Sequence, residues 1–508
     1  MRTRNWRNRG HGHSRNDERR HSDSSQTRHG RRAGNNYRIS SNISTVSQNS
    51  SSNQDVATTS SGSQNSSVPE LPGFYYDPEK DRYFRLLPGH NACNPLTREG
   101  IIQKEMEAKR LKLLEEEEQL RTRTSRLGLN AAMLVQKRSL GSLNAASYSR
   151  LFHELKVRSM KRHKLEVQSS DRPNSSDDLF KMIVADTDCK RLFTVSDVDH
   201  GGCKYGIMNL NGLKKGVLAV EMCDNLYFTN RKVNAISWAS VTHPDSHILL
   251  CLVGIAETPG CVSLLPAALF SNSSAEQPGM LCSFKISTAW SCAWCLCPQA
   301  DKSFSTGLSR CVLVTDAVTG HRQTFGINSD VLAQQFTKRA PVLYNGCRSG
   351  EIFKIDIRQR SQRGSNYKRS SFFQDSAITS LQILRDENYL LAGDMAGKIQ
   401  LWDLRMSRKV KQYEGHNNEY AYLPVHVNED EGLITAVGQD CYTRIWSLQD
   451  TKLLRTIPSP YPASKDTIPC VALSSCLGGR QALPGMLMAV KQDLYFFSYN
   501  SEYQRCQL

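Results

Sequence analysis

The sequence predicts an all-β chain folded as a β-propeller of seven blades, on three observations. The stretch Ile399-Gln400-Leu401-Trp402-Asp403-Leu404-Arg405 is the clearest copy of a pattern that recurs on both sides of it. Forty-seven residues upstream, Gly346, Gly350, Ile352, Ile355, Asp356, Ile357 and Arg358 stand in register with Gly393, Gly397, Ile399, Trp402, Asp403, Leu404 and Arg405. Forty-four residues downstream, Ile445-Trp446-Ser447-Leu448 replaces Leu401-Trp402-Asp403-Leu404. A period in the forties, with a glycine turn before an alternating apolar strand, is the signature of four-stranded blades.

In chain order, residues 1–68 are expected to be a disordered tail. Its first 38 residues hold eleven Arg against three acidic residues, and Ser, Thr, Asn and Gln dominate from Ile39 to Val68. Such composition buries too little apolar surface to offset the entropy of ordering. Two readings of the arginines stand, a solvated tail or a segment that binds RNA weakly or serves as a nuclear address. Residues 69–178 are expected to hold an aromatic hairpin and helices that brace the domain or bind a partner. Phe74-Tyr75-Tyr76-Asp77-Pro78 and Arg82-Tyr83-Phe84 flank a turn and predict the hairpin. A charged helix is expected from Thr97 to about Arg126, capped by Thr97. A second helix over Ala145–Arg158 places Tyr148, Leu151, Phe152 and Leu155 on one face, to pack on its own domain or in a partner's groove. Lys156 to Lys164 read as a basic exit, and Asp171 to Asp178 as a polar linker.

The propeller is expected over residues 179–503. Val233-Asn234-Ala235-Ile236-Ser237-Trp238 alternates as an inner strand should. Segments at 291–297 and 311–314 outline another blade, and those at 371–413, 414–457 and 467–499 supply the later ones. With an opening segment at 180–228 the count is seven, and the degenerate early repeats leave six or eight open. Closing the ring protects the sheet edges.

The chain has a formal net charge of +16, about half of it in the tail, so the body is only mildly basic. No apolar run approaches the ~18 residues of a membrane span, and the N-terminus has no signal-peptide core; an intracellular, nuclear or cytoplasmic protein is expected. The sixteen cysteines are scattered, which suits buried thiols in a reducing compartment. Cys292-Ala293-Trp294-Cys295-Leu296-Cys297 contains one CxxC without a second ligand pair, so core packing is favoured over zinc. No GxSxG or HExxH motif is present. His416, Asp440 and Trp446, with Trp402 and Asp403, are expected to tie loops to core strands by hydrogen bonds, and Thr435 completes no triad. No enzyme activity, catalytic residue, metal or cofactor is expected.

Arg358 and Arg405 follow the Asp that ends equivalent strands in adjacent blades, so both emerge from the same face. Two readings are open, an internal salt bridge and a rigid guanidinium pair that anchors a partner. The tandem Ile355-Asp356-Ile357-Arg358 and Trp402-Asp403-Leu404-Arg405 resembles the WDxR signature of the WD-repeat cullin-4-associated factors. Ile355 departs from the signature's Trp. That resemblance implies a non-enzymatic substrate receptor of cullin-4 RING ubiquitin ligases, bound through the adaptor damage-specific DNA-binding protein 1. By resemblance Arg358 and Arg405 contact the adaptor, joined by Leu151, Phe152 and Leu155 on the short helix. The protein substrate is not legible. The rival reading is a WD-repeat scaffold or RNA-associated protein that works through its Arg-rich tail.

Overall fold

Continuous apolar runs such as Ile248 to Leu252 build strands buried on both faces where sheets stack on their neighbours. In the computed structural model these strands form seven antiparallel sheets, the blades of a propeller. The structure describes residues 74–77, 82–85, 98–122, 131–168, 179–198, 201–211, 219–222, 227–254, 259–270, 282–286, 288–359, 371–477 and 484–498. The Arg-rich tail, the Thr97 cap and the linker at 171–178 lie outside these residues.

The innermost strands of blades one to seven are Leu179–Ala185, Lys232–Ala239, Ala289–Trp294, Val331–Phe336, Ile378–Ile383, Val425–Asn428 and Cys470–Ser474. Blades two to six each add three further strands outward in sequence order, so the strands of a blade can be lettered a to d. In blades one to five the register slips by one residue near the start of strand a, a bulge that adds twist where the strands converge.

Blade seven is composite. Its outer strand is Lys161–Leu165, paired antiparallel with Asp493–Ser498 from the other end of the ring. The ring therefore draws on sequence upstream of residue 179. The expected basic exit is in fact the closing strand. Its charges are met by acids from two directions: Lys164 bridges Asp493 at 2.8 Å and Arg162 lies 3.6 Å from Glu117. Val167–Gln168 then pairs in parallel with Ala219–Met222, the outer strand of blade one. Seven apolar clusters, each shared by two neighbouring blades, run round the ring. The one that completes it joins blade seven to blade one through Leu165, Leu192, Met208, Leu487 and Phe496.

The repeated glycines have two separate jobs. Gly346 and Gly393 lie where the next blade comes closest, and a Cβ there would collide with Ile378 and, at 2.8 Å, with Val425. Gly350 and Gly397 sit in b–c turns at φ +83° and +80°, a left-handed backbone that other residues adopt at a cost.

Three helices precede the closing strand: α1 (Arg98–Thr122), α2 (Ala131–Ser139) and α3 (Ala145–Arg158). Helix α1 adheres to blades six and seven largely through charge. Buried Arg110 donates to the Ser459 carbonyl at 3.0 Å, and Glu117 accepts from Arg455 at 3.0 Å. The hairpin pairs Phe74–Asp77 with Arg82–Arg85, with the rings of Tyr76 and Tyr83 5.0 Å apart.

Candidate docking face

Antiparallel order puts the a–b and c–d turns of every blade at one end of the ring and the b–c turns at the other. The first end is called the near face. Asp316, Asp356, Asp403 and Ser447 end strand c of blades three to six, and each pairs with the first residue of strand b. All four c–d turns thus open on the near face.

Arg358 and Arg405 sit in matching turns on blades four and five. The Asp356 carboxylate accepts from the Arg358 backbone N–H at 3.0 Å and from its Nε and Nη2 at 3.0 and 2.7 Å. Asp403 does the same for Arg405 at 2.9, 3.4 and 3.1 Å and also accepts from the Met406 N–H at 3.3 Å. The hydrogen bonds from each Arg hold its Asp below the usual carboxylate range and raise the guanidinium in turn. These pairs lie within a turn and do not join blades. The two arginine side chains remain 59% and 62% exposed, and among the described residues neither Nη1 has an acceptor. One edge of each guanidinium is thus fixed while the rest of its five donors face outward. The internal salt bridge is formed in each turn, and it leaves an outward-facing donor set on each arginine.

Spacing between the two turns is held by the neighbouring a–b loops. Glu387 of blade five accepts from the backbone N–H groups of Lys338 and Arg339 of blade four at 2.7 and 2.9 Å. Glu429 of blade six accepts from the Arg385 N–H of blade five at 2.9 Å.

Helix α3 leans on the same face at blade six. Its N-terminus is capped by Asn144, whose Oδ1 accepts from the Ser147 N–H at 2.7 Å. Arg455 covers the other end, donating to the carbonyls of Val157 and Met160 at 3.0 and 2.8 Å. Val157 and Met160 enter the apolar cluster between blades six and seven. Lys156 pairs with Glu431, Lys452 pairs with Glu154 at 3.1 Å, and His153 covers Gly432. Burial lowers the pKa of both His153 and Lys156. The side toward the ring is therefore His153, Lys156 and Val157, one step round from the stripe expected from sequence. Of that stripe, Tyr148, Leu151 and Leu155 are half-buried and Phe152 is 44% exposed, stacked on Tyr148 at 6.3 Å.

Sequence reasoning missed two features here. Helix α2 packs beside α3 with Leu134 buried and with Met133, Val135 and the following Leu140 exposed. Its signal was the helix-forming run Ala131-Ala132-Met133-Leu134, short and without a polar face. The other is blade three's c–d turn, where Asp316 accepts from the N–H groups of Val318 and Thr319, both at 2.8 Å. Val318 occupies the position that Arg358 and Arg405 hold on the next two blades.

The repeat-motif residues are placed as follows. Trp402 is buried against Phe372 of blade four, with ring centroids 4.7 Å apart, and Asp403 serves Arg405. His416 donates from Nε2 to the Val437 carbonyl at 3.0 Å, and Trp446 Nε1 donates to the Glu414 carbonyl at 2.8 Å. Asp440 turns to Arg444 at 3.0 Å rather than to His416. Burial lowers the His416 pKa. Cys292, Cys295 and Cys297 are buried in and just beyond blade three's inner strand, and burial pushes the Cys295 thiol up to about 11. Among the described residues no three His, Cys, Asp or Glu side chains gather as a metal site would require.

Residues 148–499 match the family model described as the DDB1- and CUL4-associated factor 4 beta-propeller domain. The chain is 63% identical over 448 residues to DDB1- and CUL4-associated factor 4 of Bos taurus, covering 88% of this chain and 90% of that one. The Homo sapiens protein of the same name is 63% identical over 445 residues, 87% of this chain and 90% of its own. DDB1- and CUL4-associated factor 4-like protein 2 of Homo sapiens is 56% identical over 396 residues, 78% of this chain and 100% of its own.

Proposed function

We propose, for a chain that belongs to the DDB1- and CUL4-associated factor 4 family, that it is a substrate receptor docking on the DDB1 adaptor of a cullin-4 RING ubiquitin ligase. The observation that carries the reading is the pair of matching turns on blades four and five. Each holds an arginine by one edge and leaves outward donors for carbonyl or carboxylate acceptors. Helix α3, with Phe152 exposed, stands on the same face one blade further on. The near face so supplies polar anchors and an apolar one, the mixture found at interface hot spots.

The receptor catalyses nothing. A RING ligase moves ubiquitin directly from its conjugating enzyme, so the receptor's contribution is effective concentration, holding a protein target near that enzyme. The test is capture of purified DDB1 by the full chain and by the double variant Arg358→Ala, Arg405→Ala. Each hot-spot arginine is worth about 2 kcal/mol or more, so the double change is expected to cost roughly a thousandfold in affinity. Melting should move little, because both side chains are on the surface and pair only within their own turns. Unchanged affinity in a well-folded double variant would remove the reading.

A further inference from the structure

We infer that the docking arc begins one blade before its arginines, with Val318 of blade three as an apolar contact for the same DDB1 adaptor. This rests on the function proposed above and extends its site.

Three consecutive blades carry the same turn. In each, the strand c Asp accepts the backbone N–H of the second residue beyond it: Asp316 from Val318, Asp356 from Arg358 and Asp403 from Arg405, at 2.8, 3.0 and 2.9 Å. The repeat of the bonding fixes the repeat of the direction, so the three second residues project from the near face alike. Val318 is 65% exposed. A β-branched apolar residue gains nothing from water at the tip of a turn, where polar residues and glycine are usual. Met406, directly after Arg405, is 61% exposed and adds a second apolar surface beside a guanidinium.

The row is bounded at both ends. On blade two, strand c ends at Pro266 without an Asp and runs into a short 3-10 helix, Ala267–Phe270, with Ala267, Leu269 and Phe270 buried. On blade six, Ser447 replaces the Asp and the turn is already occupied. Its Leu448 carbonyl accepts from Tyr413 at 2.9 Å, its Gln449 carbonyl from Lys411 at 2.7 Å, and Lys452 is paired with Glu154 of α3. Three open turns followed by a helix make one continuous arc. It offers, in order, Val318, Arg358, Arg405 with Met406, and Phe152. A partner that fits presents acceptors opposite the arginines and apolar surface at both ends. Continuity with the arginine pair assigns all of it to one occupant, the adaptor.

The test uses the full chain and purified DDB1, with affinity, melting temperature and self-association measured for Val318→Asp, Val318→Asn and the Arg358→Ala, Arg405→Ala double variant. Asn suits the turn and removes the apolar surface, so it guards against a folding defect in the Asp variant. The expected result is about a tenfold loss of affinity for Val318→Asn and a larger one for Val318→Asp, with melting unchanged. Wild-type affinity in both Val318 variants, while the arginine variant fails to bind, would overturn the inference and leave the proposed function standing. Wild-type affinity in all three would overturn both. Val318 variants that lose only self-association would assign the residue to a second copy of this chain and overturn the inference.

Discussion

Asp356 and Asp403 each accept a backbone N–H and two guanidinium N–H groups, so one carboxylate both shapes a turn and aims a cation. A repeat exposes such residues to sequence reading: two arginines at the same register on adjacent blades must share a face. Val318 escaped because Asp316 lies forty residues before Asp356, not the forty-seven that separate Asp356 from Asp403. Blade three keeps a glycine at Gly307 but has Thr315 in place of the Trp and Arg310 instead of a glycine in its b–c turn. Another single residue contributes to behaviour in acid. His426, on the inner strand of blade six, is pushed down to about 4 by burial, and its Nε2 has no partner among the described residues. Its folded pKa is below the unfolded value of about 6.5, so the unfolded chain binds the proton more readily. Stability is therefore full above about pH 6.5 and falls as pH drops toward 4, by about 3 kcal/mol from this residue at most. Denaturant unfolding at pH 7 and pH 4.5 should show that loss, and His426→Gln should shrink the difference between the two. An undiminished difference in the variant would place the titrating group elsewhere.

At the scale of elements, α3 was legible because its apolar residues recur at helical spacing, but the stripe did not say which side meets the ring. The answer came from charges far away in sequence, Glu431 for Lys156 and Lys452 for Glu154, which rotate the helix so that Val157 goes in and Phe152 stays out. Helix α1 follows the same logic. Glu117 lies between Arg162 of the closing strand and Arg455 of blade six, each 3.6 Å or less away. The charged helix itself was legible, whereas the partners of Glu117, some 45 and 338 residues on, were not. The division of α3 gives opposite expectations for two substitutions. Phe152→Asp should weaken adaptor capture with melting nearly unchanged, since the ring is exposed already. Val157→Asp buries a charge in the apolar cluster between blades six and seven and should destabilise by several kcal/mol. Thermal melts and adaptor affinity per folded molecule separate the two, and the reverse pattern would mean that α3 is turned the other way.

For the whole molecule, the ring was legible from its later blades, where Gly346, Gly393, Trp402 and Trp446 keep the period. Its closure was not, because Lys161-Arg162-His163-Lys164-Leu165 has no strand pattern of its own and pairs with residues more than 300 positions away. That closure also sets the geometry of the near face. Helix α3 ends three residues before the closing strand begins, so the ring that holds the arginine turns in place holds the helix beside them. One rigid face is the central claim, and amide hydrogen exchange on the full chain with and without purified DDB1 tests it most directly. Slowed exchange is predicted together in the turns at 316–320, 356–359 and 403–407 and in helices α2 and α3, with the opposite turns at 348–350, 395–398 and 438–442 unaffected. Slowed exchange confined to those opposite turns, with the near face exchanging as in the free chain, would contradict the account.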